Sequence, residues 1–540
     1  MSNEPSPQSP ASPAPTRPNR PPLVPIAIAL AETVALAALA YAERAEWLSP
    51  ANAFLAKFST AGVGVILLFL WFVFFAPVAR NTRVLAAGLG VAVVVLGMAT
   101  LRIEGVTGDI YPRVRFRWSP HADETLGKFE VAEGESVDLS ATTDHDYPQF
   151  MGANRLATLT GAGLSADWSA HKPKELWRQP IGAGWSSFAV VGNFAVTQEQ
   201  RGAQELITCY EVDTGKPRWA HATPVRFAET LAGIGPRATP TIHDGKVYAL
   251  GALGHLTCLD GATGKQLWQR NVVTDFGAEE TKPIWGKSCS PLVHEDKVIV
   301  SAGGPDGKSL VALDRNSGEL VWSGGDDASS YSSPVLMTLA GVPQIVIVNA
   351  KSVVAHDPGD GRVLWRESWP EGAIEQVQAE PSVAQPIPIG DDQILLSKGY
   401  GTGSALWKIT REGDTWSVQP VWRKKLNLKT KFTSPVILDD YAYALDEGVL
   451  ECVDVATGDK QWKRGKYGHG QLLLVDDLLL VQAENGDVAL VKADPERFVE
   501  LARFPAVSGT GWNPPALSGR KLLVRSNAEA ACYELPAASL

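Results

Sequence analysis

With 540 residues, 45% of them apolar, and a formal net charge of −10, the chain is too long for one ordinary domain unless that domain is a closed repeat structure. The acidic balance argues against a nucleic-acid partner, because no surplus of cations is available to neutralise phosphates. Nearly all long apolar runs precede residue 102, and the short alternating segments after it, punctuated by glycine and proline, are those of an all-β protein.

Residues 1–22 carry proline at positions 5, 10, 13, 15, 18, 21 and 22 and cannot bury enough surface to fold, so a disordered tail is expected. Three apolar stretches follow, residues 23–42, 60–79 and 84–101, each long enough to cross about 30 Å of hydrocarbon as a helix. Glu32 lies inside the first. It is either neutralised or paired within a small helix bundle, or it marks a transport or signalling site. Arg17 and Arg20 precede the first stretch and Arg80 and Arg83 fill the second loop, whereas Glu43, Arg44, Glu46 and Lys57 balance the first loop. Placing the arginine-only segments inside puts residues 102–540 on the periplasmic, extracytoplasmic side of a bacterial inner membrane.

Residues 102–146 read as a juxtamembrane linker. Its Arg113–Trp118 run alternates basic and aromatic side chains and either rests on lipid headgroups or forms a solvated edge. The acidic stretch with Glu124, Glu130, Glu133 and Glu135 reads as flexible.

Residues 147–540 hold a repeat. From Ala238 the chain runs through Asp244-Gly245, a hairpin signal because glycine accepts positive φ without steric cost, to Thr263-Gly264 and then Trp268. The unit is four short strands. Its opening recurs at Pro240, Pro291, Pro334, Pro386, Pro435 and Pro514, with divergent versions near Ser187 and Leu472. Its closing aromatic recurs at Trp177, Trp219, Trp268, Trp322, Trp365, Trp422 and Trp462, spaced by roughly 40 to 57 residues, the length of a propeller blade. A four-stranded blade cannot bury either face alone, so neighbours must stack and the ring must close. These tryptophans are therefore expected to dock on the glycine turn of the adjacent blade. The last unit lacks a closing strand, and Glu175–Gln179 is a closing strand without a unit, so the two should pair as a seam. The count is eight blades of four antiparallel strands, with seven as the alternative.

The repeated Asp-x-x-Thr-Gly-x-x-x-Trp pattern resembles the tryptophan-docking repeats of pyrroloquinoline-quinone (PQQ)-like propellers, a superfamily that includes quinoprotein alcohol dehydrogenases and the propeller lipoprotein of the outer-membrane assembly machine. The segment Asp146-Tyr-Pro-Gln-Phe-Met-Gly-Ala-Asn-Arg155 ahead of the array is similar to the bacterial PQQ-like repeat proteins. The resemblance implies the fold and is nearly silent on chemistry. In quinoprotein dehydrogenases the quinone stacks on a ring formed by two adjacent cysteines, and Ca²⁺ lies beside a catalytic aspartate. Here Cys209, Cys258, Cys289, Cys452 and Cys532 are all separate and recur in look-alike contexts, as small core residues would. Asp213, Asp260, Asp314, Asp357 and Asp454 belong to the repeat turns. No histidine pair has metal spacing, and no nucleophile has an obvious base.

No metal or cofactor is therefore expected, and PQQ with Ca²⁺ stands as the alternative. The expectation is a non-enzymatic scaffold that binds protein, peptide or envelope components. Loops leading into the innermost strands ring a propeller's mouth, and here they carry Trp185, Arg237, Trp285, Lys287, Tyr331, Lys431, His469 and Trp512, a set suited to an extended peptide or an anionic small molecule.

Overall fold

The computed structural model describes residues 23–45, 47–127, 129–131, 136–280, 282–375 and 380–538. The proline-rich tail lies outside these residues, as do Glu46, Glu133 and Glu135. Two compact units divide the chain, Met1–Ala99 and Thr100–Leu540.

The first unit holds helices α1 (Leu23–Arg44), α2 (Pro50–Phe75) and α3 (Arg80–Thr100), all long and apolar enough to cross a membrane. Helix α2 begins well before Thr60 because Ser49 caps it, accepting from the Asn52 N–H at 3.3 Å, and Pro50 suits the first turn, where no N–H is needed. Glu32 of α1 packs beside Gly64 of α2, where an added Cβ would fall on the carboxylate. Glu43 and Lys57 form an ion pair between the same two helices.

The second unit is an eight-bladed propeller of four-stranded antiparallel sheets. Blades 1 to 7 comprise residues 189–223, 241–271, 292–324, 335–368, 387–424, 436–466 and 471–505. Blade 8 is residues 516–534 closed by the strand Lys174–Pro180, which pairs antiparallel with Glu529–Glu534 and sets Trp177 opposite Cys532. The ring is thus sealed by strands from its two ends.

Five of the seven docking indoles donate to a glycine-containing turn of the next blade. The Nε1–H groups donate from Trp177 to the Val212 carbonyl (2.6 Å), Trp219 to Gly261 (2.9 Å), Trp268 to Arg315 (3.1 Å), Trp322 to Pro358 (3.1 Å) and Trp422 to Val455 (2.8 Å). Gly264 shows why the turn needs glycine: its φ is +69°, and a Cβ there would meet the Trp219 ring at 2.6 Å. Two junctions depart from this scheme. Blade 5 replaces the short turn with the long strands Gly403–Glu412 and Thr415–Lys424, so Trp365 instead donates to Gln344 Oε1 of its own blade at 2.7 Å. Trp462 donates to Asp494 at 2.9 Å in a turn without glycine. Opposite the indoles stand Cys209, Cys258, Cys452 and Cys532, with Ala312 and Ala355 in the equivalent places. Six of the seven positions hold a small side chain, Leu406 opposite Trp422 being the exception, and burial pushes the Cys258 thiol up to about 12, so it remains a thiol.

The small polar residues at the blade openings form part of a belt around the channel. The N–H groups of Ser187, Thr239, Ser290 and Gln385 donate to the hydroxyls of Thr239, Ser290, Ser333 and Ser434, each on the next blade, at 2.9–3.1 Å. Inner-edge backbone that a strand would otherwise satisfy is paired in this way.

One end of the channel is closed by the segment from Asp146. Tyr147 exchanges both backbone hydrogen bonds with Val190 of blade 1, and Pro148 accepts from Ile242 of blade 2. The Arg155 guanidinium donates to the carbonyls of Ser290 and Pro291 at the entry to blade 3. Thr158–Leu159 then adds as a parallel strand to blade 7, on the opposite side of the ring. This segment forms the floor of the channel.

At the other end, residues read as linker form a hairpin, β1 (Leu101–Val106) and β2 (Pro112–Phe116). Leu101 faces Phe116 and Ile103 faces Val114 on an exposed apolar side, while Arg115 pairs with Glu104 at 2.9 Å on the other. The hairpin tip enters the mouth.

Candidate functional site

A cavity of about 170 Å³ lies on the channel axis between floor and mouth. Tyr147 and Met151 form its base, and Trp185, Arg237, Trp285, Tyr331, Phe432 and Trp512 are among its upper walls. The aromatics form two groups. Trp185 and Trp512 lie 4.6 Å apart by ring centroids, with Phe432 4.8 Å from Trp512, and Trp285 stacks on Tyr331 at 5.4 Å. Trp185 donates to the Ala232 carbonyl at 2.6 Å and Trp512 to Glu484 Oε1 at 3.0 Å. The Trp285 indole N–H is buried and has no acceptor among the described residues. It is a donor left over for an occupant.

The sequence-derived cations occupy other roles. Arg237 lines the cavity, but its guanidinium donates to the carbonyls of Ala232, Gly233 and Gly235 and lies 4.3 Å over the Phe227 ring. Burial lowers its pKa to about 10. Lys287 points away from the cavity, donating to the Ser301 and Ala302 carbonyls and to Ser329 Oγ, and burial lowers it to about 8. Lys431 donates to the Gly108 carbonyl at 3.0 Å, and His469 Nε2 meets Asp109 Oδ1 at 2.8 Å. Both serve the hairpin tip. Of the eight predicted residues, the structure gathers Trp185, Arg237, Trp285, Tyr331 and Trp512 around the cavity, and sets Lys431 and His469 beside it as a latch.

The latch has members the sequence did not nominate. Glu484 accepts from the Gly108 N–H at 2.7 Å and from the His469 N–H at 3.1 Å, besides the Trp512 indole. Arg113 of the hairpin bonds Thr510. A Cβ on Gly108 would collide with the His469 ring, so only glycine fits there. No local signal marks these residues, because the hairpin's partners lie more than 300 positions later in the chain.

The family model described as outer membrane protein assembly factor BamB matches residues 122–303 and 203–464, together more than half of the chain. The chain belongs to this family of PQQ-like propeller repeats. BamB of Shewanella oneidensis is 25% identical over 360 residues, 62% of this chain and 82% of that protein. Quinohemoprotein alcohol dehydrogenase ADH IIB of Pseudomonas putida is 26% identical over 278 residues, 47% of this chain but 33% of the dehydrogenase. The chain thus spans a third or less of the dehydrogenases it matches and over four-fifths of BamB. The crystal structure of quinohemoprotein alcohol dehydrogenase from Comamonas testosteroni superimposes with a TM-score of 0.54 at 14% identity, over 73% of this chain and 81% of that one, a likeness of fold.

Whether the cavity suits the dehydrogenases' quinone is a matter of charge. PQQ carries several carboxylates and needs cations around it, with Ca²⁺ ligands beside it. The Arg237 guanidinium is already spent on backbone carbonyls, and no two cysteines are adjacent in the sequence. The residues present do not fit that cofactor.

Proposed function

We propose that this BamB-type propeller is a membrane-anchored, non-enzymatic binding module that holds an apolar or aromatic segment of a protein or envelope component in its mouth. One observation carries the reading: the cavity is walled by Trp185, Trp285, Tyr331, Phe432 and Trp512, while the cations around it are bonded to backbone carbonyls. Such a site rewards burial of apolar surface and gives little to an anion. The Trp285 N–H, without an acceptor among the described residues, adds one point of polar selection. The arginine bias of Arg17, Arg20, Arg80 and Arg83 supports a propeller on the periplasmic side of the inner membrane.

A photo-crosslinking residue at Leu231, which is 45% exposed on the cavity rim, tests this in intact cells. Discrete protein adducts are expected, and replacing Trp185 and Trp512 by alanine should cut them at least fivefold without unfolding the domain. Adducts unchanged by that double replacement would remove the cavity from the reading. The oxidoreductase alternative is tested by incubating the full chain with PQQ and Ca²⁺ and then dialysing. No retained chromophore is expected, and one bound equivalent would favour the alternative.

A further inference from the structure

One carboxylate of the latch is buried without a hydrogen-bond donor among the described residues. Asp109, Glu447 and Glu484 bring three carboxylates to the hairpin tip, where the buried Lys431 ammonium donates to the Gly108 carbonyl and pairs with Glu447. Glu484 is satisfied by three N–H donors. Glu447 is not: it is 5% exposed, and neither carboxylate oxygen has a hydrogen-bond donor among the described residues. Its charged neighbour, Lys431 Nζ, stands 3.6 Å away and is itself bonded to the Gly108 carbonyl. Lys466 also acts on Asp109, but from an exposed position where solvent screens it. The buried Glu447 side chain thus has one ion-pair neighbour at 3.6 Å and no hydrogen bond among the described residues, a costly arrangement for a buried carboxylate.

Ligand atoms of Asp109, Glu447 and His469 all lie within 4.8 Å of one another, and His469 Nε2 and Asp109 Oδ1 are 2.8 Å apart. Ligands at about 2.1 Å from a common ion are separated by about 3–3.5 Å, so small side-chain adjustments bring the three onto one centre. An imidazole with two carboxylates is a donor set for zinc-class ions rather than for Ca²⁺ or Mg²⁺.

We propose that Asp109, Glu447 and His469 bind one divalent transition-metal ion of the zinc class, which fastens the juxtamembrane hairpin to the mouth of the propeller. The ion gives the Glu447 carboxylate the partner it lacks, and Lys431 keeps its bond to Gly108. Asp109 comes from the hairpin, whereas Glu447 sits in a blade 6 turn and His469 in the loop entering blade 7. Three separate segments thus meet at the ion, which is why sequence spacing did not reveal it.

The test uses the full chain in detergent, stripped with EDTA and dialysed. Zn²⁺ is titrated calorimetrically, and Co²⁺ binding is followed by its visible absorption. Trypsin cleavage after Arg113 and Arg115 reports hairpin docking. One equivalent of Zn²⁺ is expected, with hairpin cleavage slowed at least fivefold. Glu447→Gln is the discriminating variant because Glu447 makes no hydrogen bond to the hairpin. It should weaken Zn²⁺ at least tenfold and abolish the protection, while metal-free cleavage stays as in the parent. Asp109→Asn should weaken Zn²⁺ similarly. Zn²⁺ binding of equal strength in parent and Glu447→Gln, or no equivalent bound by the parent at 1 mM Zn²⁺ (on the order of the weakest specific site), would overturn the proposal.

Discussion

Both ends of the propeller channel meet chain that precedes the blades, and they hold it by different means. At the floor, residues 146–159 pair backbone to backbone with blades 1, 2 and 7, and Arg155 fixes two carbonyls at the entry to blade 3. At the mouth, the hairpin is held by side chains at its tip: Lys431, His469 and Glu484 on Gly108 and Asp109, and Thr510 on Arg113. Backbone pairing commits a segment to the fold. A few polar side-chain contacts can be given up and re-formed, and water satisfies them in the interval. The floor is therefore structure, and the mouth is where exchange with an occupant can occur.

Removing Arg155 should break the comparison most forcibly. Arg155→Met removes the guanidinium donor from the buried Ser290 carbonyl and leaves Pro291 with Thr241 alone, and should cost about 2–3 kcal/mol, read as a fall in the denaturation midpoint of the propeller. A buried carboxyl of blade 1 responds to pH instead. Burial raises the Glu205 carboxyl to about 7, even though it accepts from the Ala252 N–H. A folded-state value above the unfolded one means its contribution is fully present below about pH 4.5 and is lost as pH rises through 7. Glu205→Gln should thus stabilise by about 2–3 kcal/mol at pH 8 and by almost nothing at pH 4.5, measured by paired thermal melts. The smallest effect on stability, and the sharpest on the mouth, belongs to Gly108→Ala. The added methyl group collides with His469, so the tip should undock at a cost under about 1 kcal/mol, while tryptic cleavage in the hairpin accelerates several-fold.

Most of the ring was legible because its signals are local. A glycine turn and an indole a few residues apart define each blade, and Trp177, Trp219, Trp268, Trp322 and Trp422 dock as such a unit requires. Trp365 does not, because the feature that redirects it lies in the next blade, where long strands replace the turn. At the mouth, the sequence placed the aromatic residues in loops that line the cavity but could not show that Arg237 would bond carbonyls of its own loop and Lys287 those of the strand Lys297–Gly304. The Asp146–Arg155 motif was readable as a family mark and not as a floor, since its partners are spread over three blades. The hairpin was hidden altogether. Its alternating Arg113–Trp118 run marks a strand, and nothing within it identifies His469 or Glu484 as its binding site.

The seam has a consequence for biogenesis. Arg178 reaches Tyr533 across 355 positions, so the strand Lys174–Pro180 leaves the ribosome long before its partner exists. At about 5–20 residues per second, it waits roughly 20–70 s as an open edge. Its charged residues Lys174, Glu175 and Arg178 keep it wetted and a poor template for stray pairing during that delay.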